Sequence, residues 1–436
     1  MTVFLCKKRC AEIIGKALTF LQCSCTMKKS VALIIKKEIM PIAMNTITET
    51  INTPVTDECE VLVAGGGFAG ISAALSAARQ GSDVTLVERE YILGGLGTAG
   101  IVTIYLPLCD GMGKQVSFGI AEELFRLSIK YGAEDKYPTA WLEPGNEELR
   151  KKQRFEVQYN PHMFALLAEK LLIENGVKIL YGTCVCSVAM DGEKISSVIV
   201  ENKSGRTAIA VKKSVVDCTG DADIAKLSGA ATKEYAPKNI LAAWHYSVSV
   251  SRGLSLHMVG ACDSAVEKEE DVLTNRRFTG LDGTELSEMT QMAHSFILKD
   301  IMNNRKRDIS HVPVTIPTIP QIRMTRRIEG VYTIDDTQMH KQFSDSVGLF
   351  SDWRKRGPVY ELPFSTLYGN DVKNLICAGR CISVTDAMWD ITRVIPVCAV
   401  SGEAAGTAAA MTDDFASLPI EDLQTVLTKN GVILHE

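Results

Sequence analysis

No Cys-x-x-Cys pair occurs anywhere in this sequence. The spacings that mark zinc ribbons, iron–sulfur clusters and dithiol redox centres are therefore missing, and no metal site is expected. Thirteen cysteines are present, four of them within the first 25 residues and the other nine scattered. An odd number in a long chain reads as reduced thiols and a cytoplasmic setting. An excess of basic charge is lacking too, since 47 Lys and Arg stand against 52 Asp and Glu. Residues 1–56 carry a net +5 and the remainder a net −10. An acidic body offers no face for phosphate backbones, so no nucleic-acid partner is expected. Long apolar runs are also absent. The longest uncharged stretch, Tyr91 to Cys109, holds Gly94, Gly95, Gly97, Gly100 and Pro107, and reads as a loop entering a strand rather than a membrane span.

What remains is an ordinary folded composition: 436 residues, 46% apolar and 23% charged, with mean hydropathy +0.07. That is enough for two or three domains with real cores, and it excludes disorder of the bulk. Residues 1–56 are set apart as an N-terminal extension. Two readings of its first 43 residues stand open: a secretory leader, or a translation start placed too early, with Met27, Met40 and Met44 all preceding the first recognisable element.

That element begins at Cys59–Ala64, a short apolar run the size of a buried parallel strand. It enters Gly65-Gly66-Gly67-Phe68-Ala69-Gly70, a G-x-G-x-x-G, and a helical stretch follows from Ile71 to Arg79 with Ala73, Ala74, Ala77 and Ala78. A second strand, Asp83–Val87, ends at Glu88. Each piece has a physical role in holding a dinucleotide. Gly65 permits the tight turn, Gly67 lets main-chain N–H groups approach a pyrophosphate, and Gly70 lets the helix close on the strand. The main chain of Phe68 and Ala69 opens the helix N-terminus toward the anion. Glu88, eighteen residues past Gly70, is placed to accept ribose hydroxyls and would repel the 2′-phosphate of NADP. The motif does not decide between NAD and FAD.

Beyond Glu88 run Arg89-Glu90-Tyr91-Ile92-Leu93-Gly94-Gly95-Leu96-Gly97-Thr98. Here the chain resembles the FAD-dependent oxidoreductases of the two-dinucleotide-binding-fold type, which carry a Val-Glu-Arg … Gly-Gly-x-x-Thr stretch. Three later segments strengthen the resemblance. A helix from Asn160-Pro161-His162 is followed by the strand Val177–Leu180 and by Thr183–Val188, where Val185 is expected beside the adenine. A hairpin turning at Asp191-Gly192 leads through Ala208–Lys212 and Ser214–Cys218 to Thr219-Gly220-Asp221, with Cys218 where the family has alanine. Finally Asn374–Met411 contains Ala378-Gly379-Arg380-Cys381-Ile382-Ser383 and Gly402-Glu403-Ala404-Ala405-Gly406.

The resemblance implies an α/β protein. A Rossmann-like FAD-binding domain, a parallel sheet with helices and a β-meander layer, would be formed by residues 57–230 and 370–412. An inserted α+β substrate domain would occupy 231–369, and 413–436 would be a C-terminal tail. It implies FAD contacts at Gly65, Gly67, Phe68, Ala69, Gly70, Glu88, Arg89, Gly95, Thr98, Val185, Gly220, Asp221, Gly379, Arg380, Val394 and Ile395. The helix start near Val394–Val397, with Pro396 in its first turn, would face the flavin edge and favour its reduced, anionic form.

The expected chemistry is hydride transfer between a small organic substrate, a carboxylate being one class, and flavin N5, with an unknown electron donor or acceptor. Two other readings stand: an FAD-holding electron-relay subunit, and an NAD-dependent dehydrogenase. The catalytic candidates are Arg393, Arg323, Arg327 and His245. As a strand, the cluster Pro320–Gly330 would place Arg323 and Arg327 on one face, able to clamp a carboxylate; flavin phosphate or a structural carboxylate are the competing partners. Arg393 reads equally as an ion pair, and His245 as a core histidine. Asp386, Trp389 and Asp390 fall near the expected flavin, and Met388-Trp389-Asp390 replaces small residues of the family.

Overall fold

The computed structural model describes residues 46–133, 137–143, 146–260 and 272–436. The leader readings for residues 1–43 lie outside the described residues. Residues 53–436 form one unit.

Strand β1 (Val55–Ala64) starts earlier than its apolar run, so residues 55 and 56 belong to the sheet and not to an extension. Its last four residues are buried on both faces. Val61 and Val63 join the core under the helices, and Leu62 and Ala64 join a second core on the opposite face, the pattern of an interior parallel strand. Helix α1 (Phe68–Arg79) returns the chain to β2 (Val84–Val87). Helix α2 (Pro161–Glu174) is capped by the Asn160 side chain, which accepts from the N–H groups of His162 and Met163, and leads to β3 (Lys178–Leu180).

The meander follows as β4 (Cys184–Asp191), β5 (Lys194–Asn202) and β6 (Gly205–Asp217). It is hydrogen-bonded into the main sheet through β6, and its Ile195, Val198 and Val200 pack in one core with Leu62 and Ala64 of β1. Ala208–Lys212 and Ser214–Cys218, read from sequence as two strands, are a single strand. Against β1 the register steps from Cys59↔Val211 to Val61↔Ser214, so a bulge at Lys212-Lys213 absorbs one residue. Beyond the bulge β5 has left the edge, and β10 (Leu375–Cys377) takes its place in parallel with Val215–Asp217.

Between these lies the cap. Strands β7 (Ala243–Ser249), β8 (Gly253–Val259) and β9 (Val312–Thr315) form an antiparallel sheet with β7 central. Helix α3 (Gly283–Arg305) covers it, capped by Asp282 and burying Met289, Ala293, Ile297 and Ile301.

Helix α4 (Ile395–Met411) is buried all round, as its small residues allow. Ser72 Oγ of α1 donates to Ala399 O at 2.7 Å, and Ser76 Oγ to Glu403 O at 3.0 Å. A Cβ on Gly402 or Gly406 would land on the carbonyl oxygens of Ala69 or Ala73, so the two helices touch backbone to backbone. The last segment is no tail: α5 (Ile420–Lys429) buries Leu423 and Leu427 in the main core, because its amphipathic face has the period of a core-facing helix. Among the described residues no single helix is long and apolar enough to cross a membrane. The pair Asp386–Thr392 and Ile395–Met411 reaches that length and composition together, but is bent by 92°.

Glu403 sits inside this packing, 2% exposed, its Oε2 accepting from Ile120 N at 2.8 Å. Burial pushes its carboxyl up to about 8, and the nearby Glu123 charge adds to the shift. The folded chain therefore keeps a proton that the unfolded chain releases above its ordinary value of 4.5. The cost is absent below that value, grows as pH rises toward about 8, and is constant beyond. Glu403→Gln removes it. In urea unfolding the variant is expected to gain on the parent by about 1.4 kcal/mol per pH unit across that window, with no gain at the acid end.

Candidate functional site

Three adjacent parallel strands, β1, β6 and β10, end at the same edge of the sheet, and each runs into a glycine turn. Cys218 N donates to Ala64 O at 2.8 Å and Ala378 N to Asp217 O at 3.0 Å, so the three turns begin side by side. The order β3-β2-β1-β6-β10 reverses direction between β1 and β6, and a ligand crevice is expected outside strand ends at such a reversal. An open cleft of about 1300 Å³ lies there.

Gly65 (φ +96°) turns the chain so tightly that a Cβ would stand 2.5 Å from Cys218 O. Gly379 (φ +72°) brings the third turn to the first: a Cβ on it would lie 2.8 Å from Ala69 Cβ. At Gly67 a Cβ would meet no described heavy atom within 4 Å, because that position faces the open cleft. The cleft reaches both Phe68 at the start of α1 and Ile395 at the start of α4. Among the described residues neither helix has a side-chain cap or an acid in its first turn, so both leave N–H groups and positive dipole ends for an anion.

Glu88, 7% exposed, accepts from Gly66 N at 2.6 Å and Glu90 N at 2.8 Å. Its burial raises the carboxyl above the ordinary range, and the two N–H donors pull it back. Asp217 holds the middle turn. Its carboxylate accepts from Thr219 N, Thr219 Oγ1 and Ala225 N. Asp223 is pushed up to about 6, first by burial and then by the charges of Asp221 and Asp217, while Arg326 beside it pulls the other way. Arg326 Nη2 donates to Asp223 at 2.7 Å. Arg380 links turn to cap: its Nη1 donates to the Ile322 carbonyl at 2.8 Å, and its Nη2 lies 3.8 Å from Asp221 Oδ1.

The profile of the family described as FAD dependent oxidoreductase matches residues 60–242 and 237–427. The chain belongs to the FAD-dependent oxidoreductases. No curated protein matches the sequence. Among solved structures, a geranylgeranyl bacteriochlorophyll reductase-like protein from Thermoplasma acidophilum is 13% identical with TM-score 0.44, over 86% of this chain and 82% of that one. An open-conformation flavocytochrome c3 fumarate reductase is 15% identical with TM-score 0.42, over 85% and 84%.

The residues present fit the cofactor of this oxidoreductase family. Space at Gly67, two open helix N-termini and a buried carboxylate at Glu88 meet in one cleft. Of the positions expected at FAD, Gly65, Gly67, Phe68, Ala69, Glu88, Arg89, Gly95, Val185, Gly220, Asp221, Gly379, Arg380 and Ile395 line the cleft. Gly70, Thr98 and Val394 stand behind its wall. A Cβ on Gly70 would strike Gly65 O, Thr98 Oγ1 donates to Leu93 O at 2.5 Å, and Val394 is the N-cap of α4.

The catalytic candidates of this flavoprotein fare differently. Arg393 lines the cleft but is ion-paired, its Nε 2.7 Å and Nη2 2.6 Å from Asp390 Oδ1. Arg323 and Arg327 do not share a strand face, since the strand covers only Arg326–Ile328. Both are buried. Arg323 lies over the Trp244 ring at 5.4 Å and Arg327 over Trp389 at 5.9 Å. Trp389 in turn donates from Nε1 to Arg380 O at 2.9 Å, bracing the third turn.

His245 is not at the cleft. Its neighbour Tyr246 has Oη 2.6 Å from Thr103 Oγ1, and the imidazole, on the other face of the strand, lies against Asp300 of α3. Burial pushes it down to about 4, with His257 adding to the shift. Sequence reading did not assign Ile319, Pro320, Ile322 and Cys398 to the wall. For Cys398 a signal existed: it lies one helical turn after Val394 on the face that carries Ile395.

Proposed function

We propose that the protein transfers hydride between a small organic substrate and FAD held in the cleft between the three glycine turns. One observation carries the reading: the turns at Gly67 and Gly379, more than 300 residues apart in sequence, are in contact and open on one crevice. Bound there, FAD supplies two-electron chemistry at flavin N5. The chain's own residues do the rest. Gly67 and the α1 N-terminus receive the pyrophosphate, and Glu88 accepts the ribose hydroxyls. The α4 N-terminus lends positive potential to its end of the cleft. Ile319, Pro320 and Ile322 of the cap, held by Arg380, exclude water over that end.

Asp390 compensates the charge of Arg393, so a carboxylate substrate would be oriented by this pair and by the helix N-terminus, not by a free guanidinium. A reducing compartment such as the cytoplasm suits the eight described cysteines, all free thiols.

Anaerobic titration of the purified yellow protein tests the reading. Small carboxylates, their uncharged analogues, NADH and NADPH are added separately while the flavin absorbance is followed. Bleaching by one class of small organic substrate is the expected result. Reduction only by a partner protein would make the chain an electron relay and overturn the proposal.

A further inference from the structure

Under the cap helix the hairpin register sets two histidines side by side, for β7 pairs with β8 so that His245 lies directly opposite His257. Cross-strand partners hold their Cβ atoms roughly 5 Å apart, and the two imidazole centroids are 5.0 Å apart, 31° from parallel. Helix α3 lays Asp300 across the pair. Its Oδ2 is 2.9 Å from His257 Nδ1 and 3.5 Å from His245 Nε2. His311, from the segment before β9, brings a third ring to within 5.0 Å of His257.

His257 and Asp300 are half-buried and hydrogen-bonded to each other, but two other rings in the cluster are buried with nitrogens that hydrogen bonding does not account for. His245 is fully buried, and among the described residues neither of its ring nitrogens makes a hydrogen bond, Nε2 having only the Asp300 carboxylate at 3.5 Å. His311, 3% exposed, leaves Nε2 unpartnered in the same sense. An imidazole whose polar atoms are withdrawn from water without a partner destabilises the fold, and a cluster that collects such groups needs something that binds them.

We propose that His245, His257 and Asp300 form a zinc site that fastens the β7–β8 hairpin to α3. One ligand atom from each of the three lies within 4.8 Å of the others, a spacing that a single ion closes by modest side-chain movement. Two imidazoles and one carboxylate suit a borderline ion such as Zn²⁺, whereas Ca²⁺ and Mg²⁺ take oxygen ligands. The outer shell fits as well: Ser255 Oγ lies 3.2 Å from His257 Nε2, where it can accept a hydrogen bond from Nε2–H once Nδ1 faces the metal. A fourth position is left for water, or for His311 on rotation.

The site is distinct from the flavin cleft, being on the far face of β7. No sequence motif announced it, because the ligands sit 12 and 43 residues apart and only the hairpin register and the helix bring them together.

The test uses the full-length flavoprotein, stripped by a chelator and titrated with Zn²⁺ alone, with metal per chain read by elemental analysis and heat of binding by calorimetry. About one zinc per chain and a rise in Tm are expected. Asp300→Ala should lose this zinc while keeping its yellow colour. Ser255→Ala, which leaves all three ligands in place, should bind about 10-fold more weakly and guards against a folding defect in the first variant. A flat titration of the parent overturns the proposal. So does equal zinc in the parent and Asp300→Ala, which would locate the metal elsewhere in the chain.

Discussion

Gly67→Val is expected to fold and to arrive without its flavin. At this residue φ is −69° and ψ −177°, an extended conformation open to any L-residue, and no described heavy atom lies within 4 Å of a built Cβ. The added Cβ therefore has open space around it. It occupies the space through which a pyrophosphate must approach the N–H groups at the head of α1. Loss of that approach should weaken FAD binding at least ~100-fold, or about 2.8 kcal/mol. The cost to the apoprotein should stay near 1 kcal/mol, the penalty for an aliphatic residue at an N-cap. Flavin absorbance per chain after gel filtration, set beside the Tm of the apoproteins, separates the two effects. Full retention of colour would mean that the pyrophosphate rests on another turn.

Gly406→Val should do the opposite and damage the fold first. Its Cβ would fall on the main chain of Ala73, carbonyl oxygen and Cα alike, and no flexible side chain is there to yield. Overpacking usually costs 1–3 kcal/mol; with two helix backbones forced apart, about 3 kcal/mol or more is expected. Urea unfolding would show a lower midpoint with an unchanged slope. Flavin content should fall only in step with stability, since residue 406 is remote from the cleft wall. An unshifted midpoint would show that α1 and α4 do not pack as closely as described.

Much of the cofactor half was legible from the chain. A tight turn, a close main-chain approach and an alanine-rich helix are demands made on a few consecutive residues, so Gly65–Gly70 stands out locally, whereas Thr219–Asp221 and Gly379–Arg380 were found through the family resemblance. Strand limits were less readable where the register decides them. The break assumed at Lys213 is a bulge in a continuous strand, visible only against β1. The basic cluster misled for a similar reason, since a period of two assigns Arg323 and Arg327 to one face only if both lie in the strand, and the strand begins at Arg326. His245 read as an acid/base candidate because an apolar run shows that a residue is buried without showing which side of the sheet it faces.

From its order of residues alone this protein was readable as an α/β chain with a dinucleotide turn, and its resemblance to a family pointed to FAD, with three glycine turns that prove to line one cleft. Which turns would touch, which arginines would be neutralised by Asp390 or covered by tryptophan, and which histidines would meet Asp300 depended on three-dimensional packing. Those outcomes follow from strand order, register and helix crossing, which couple residues tens to hundreds of positions apart and leave no local trace.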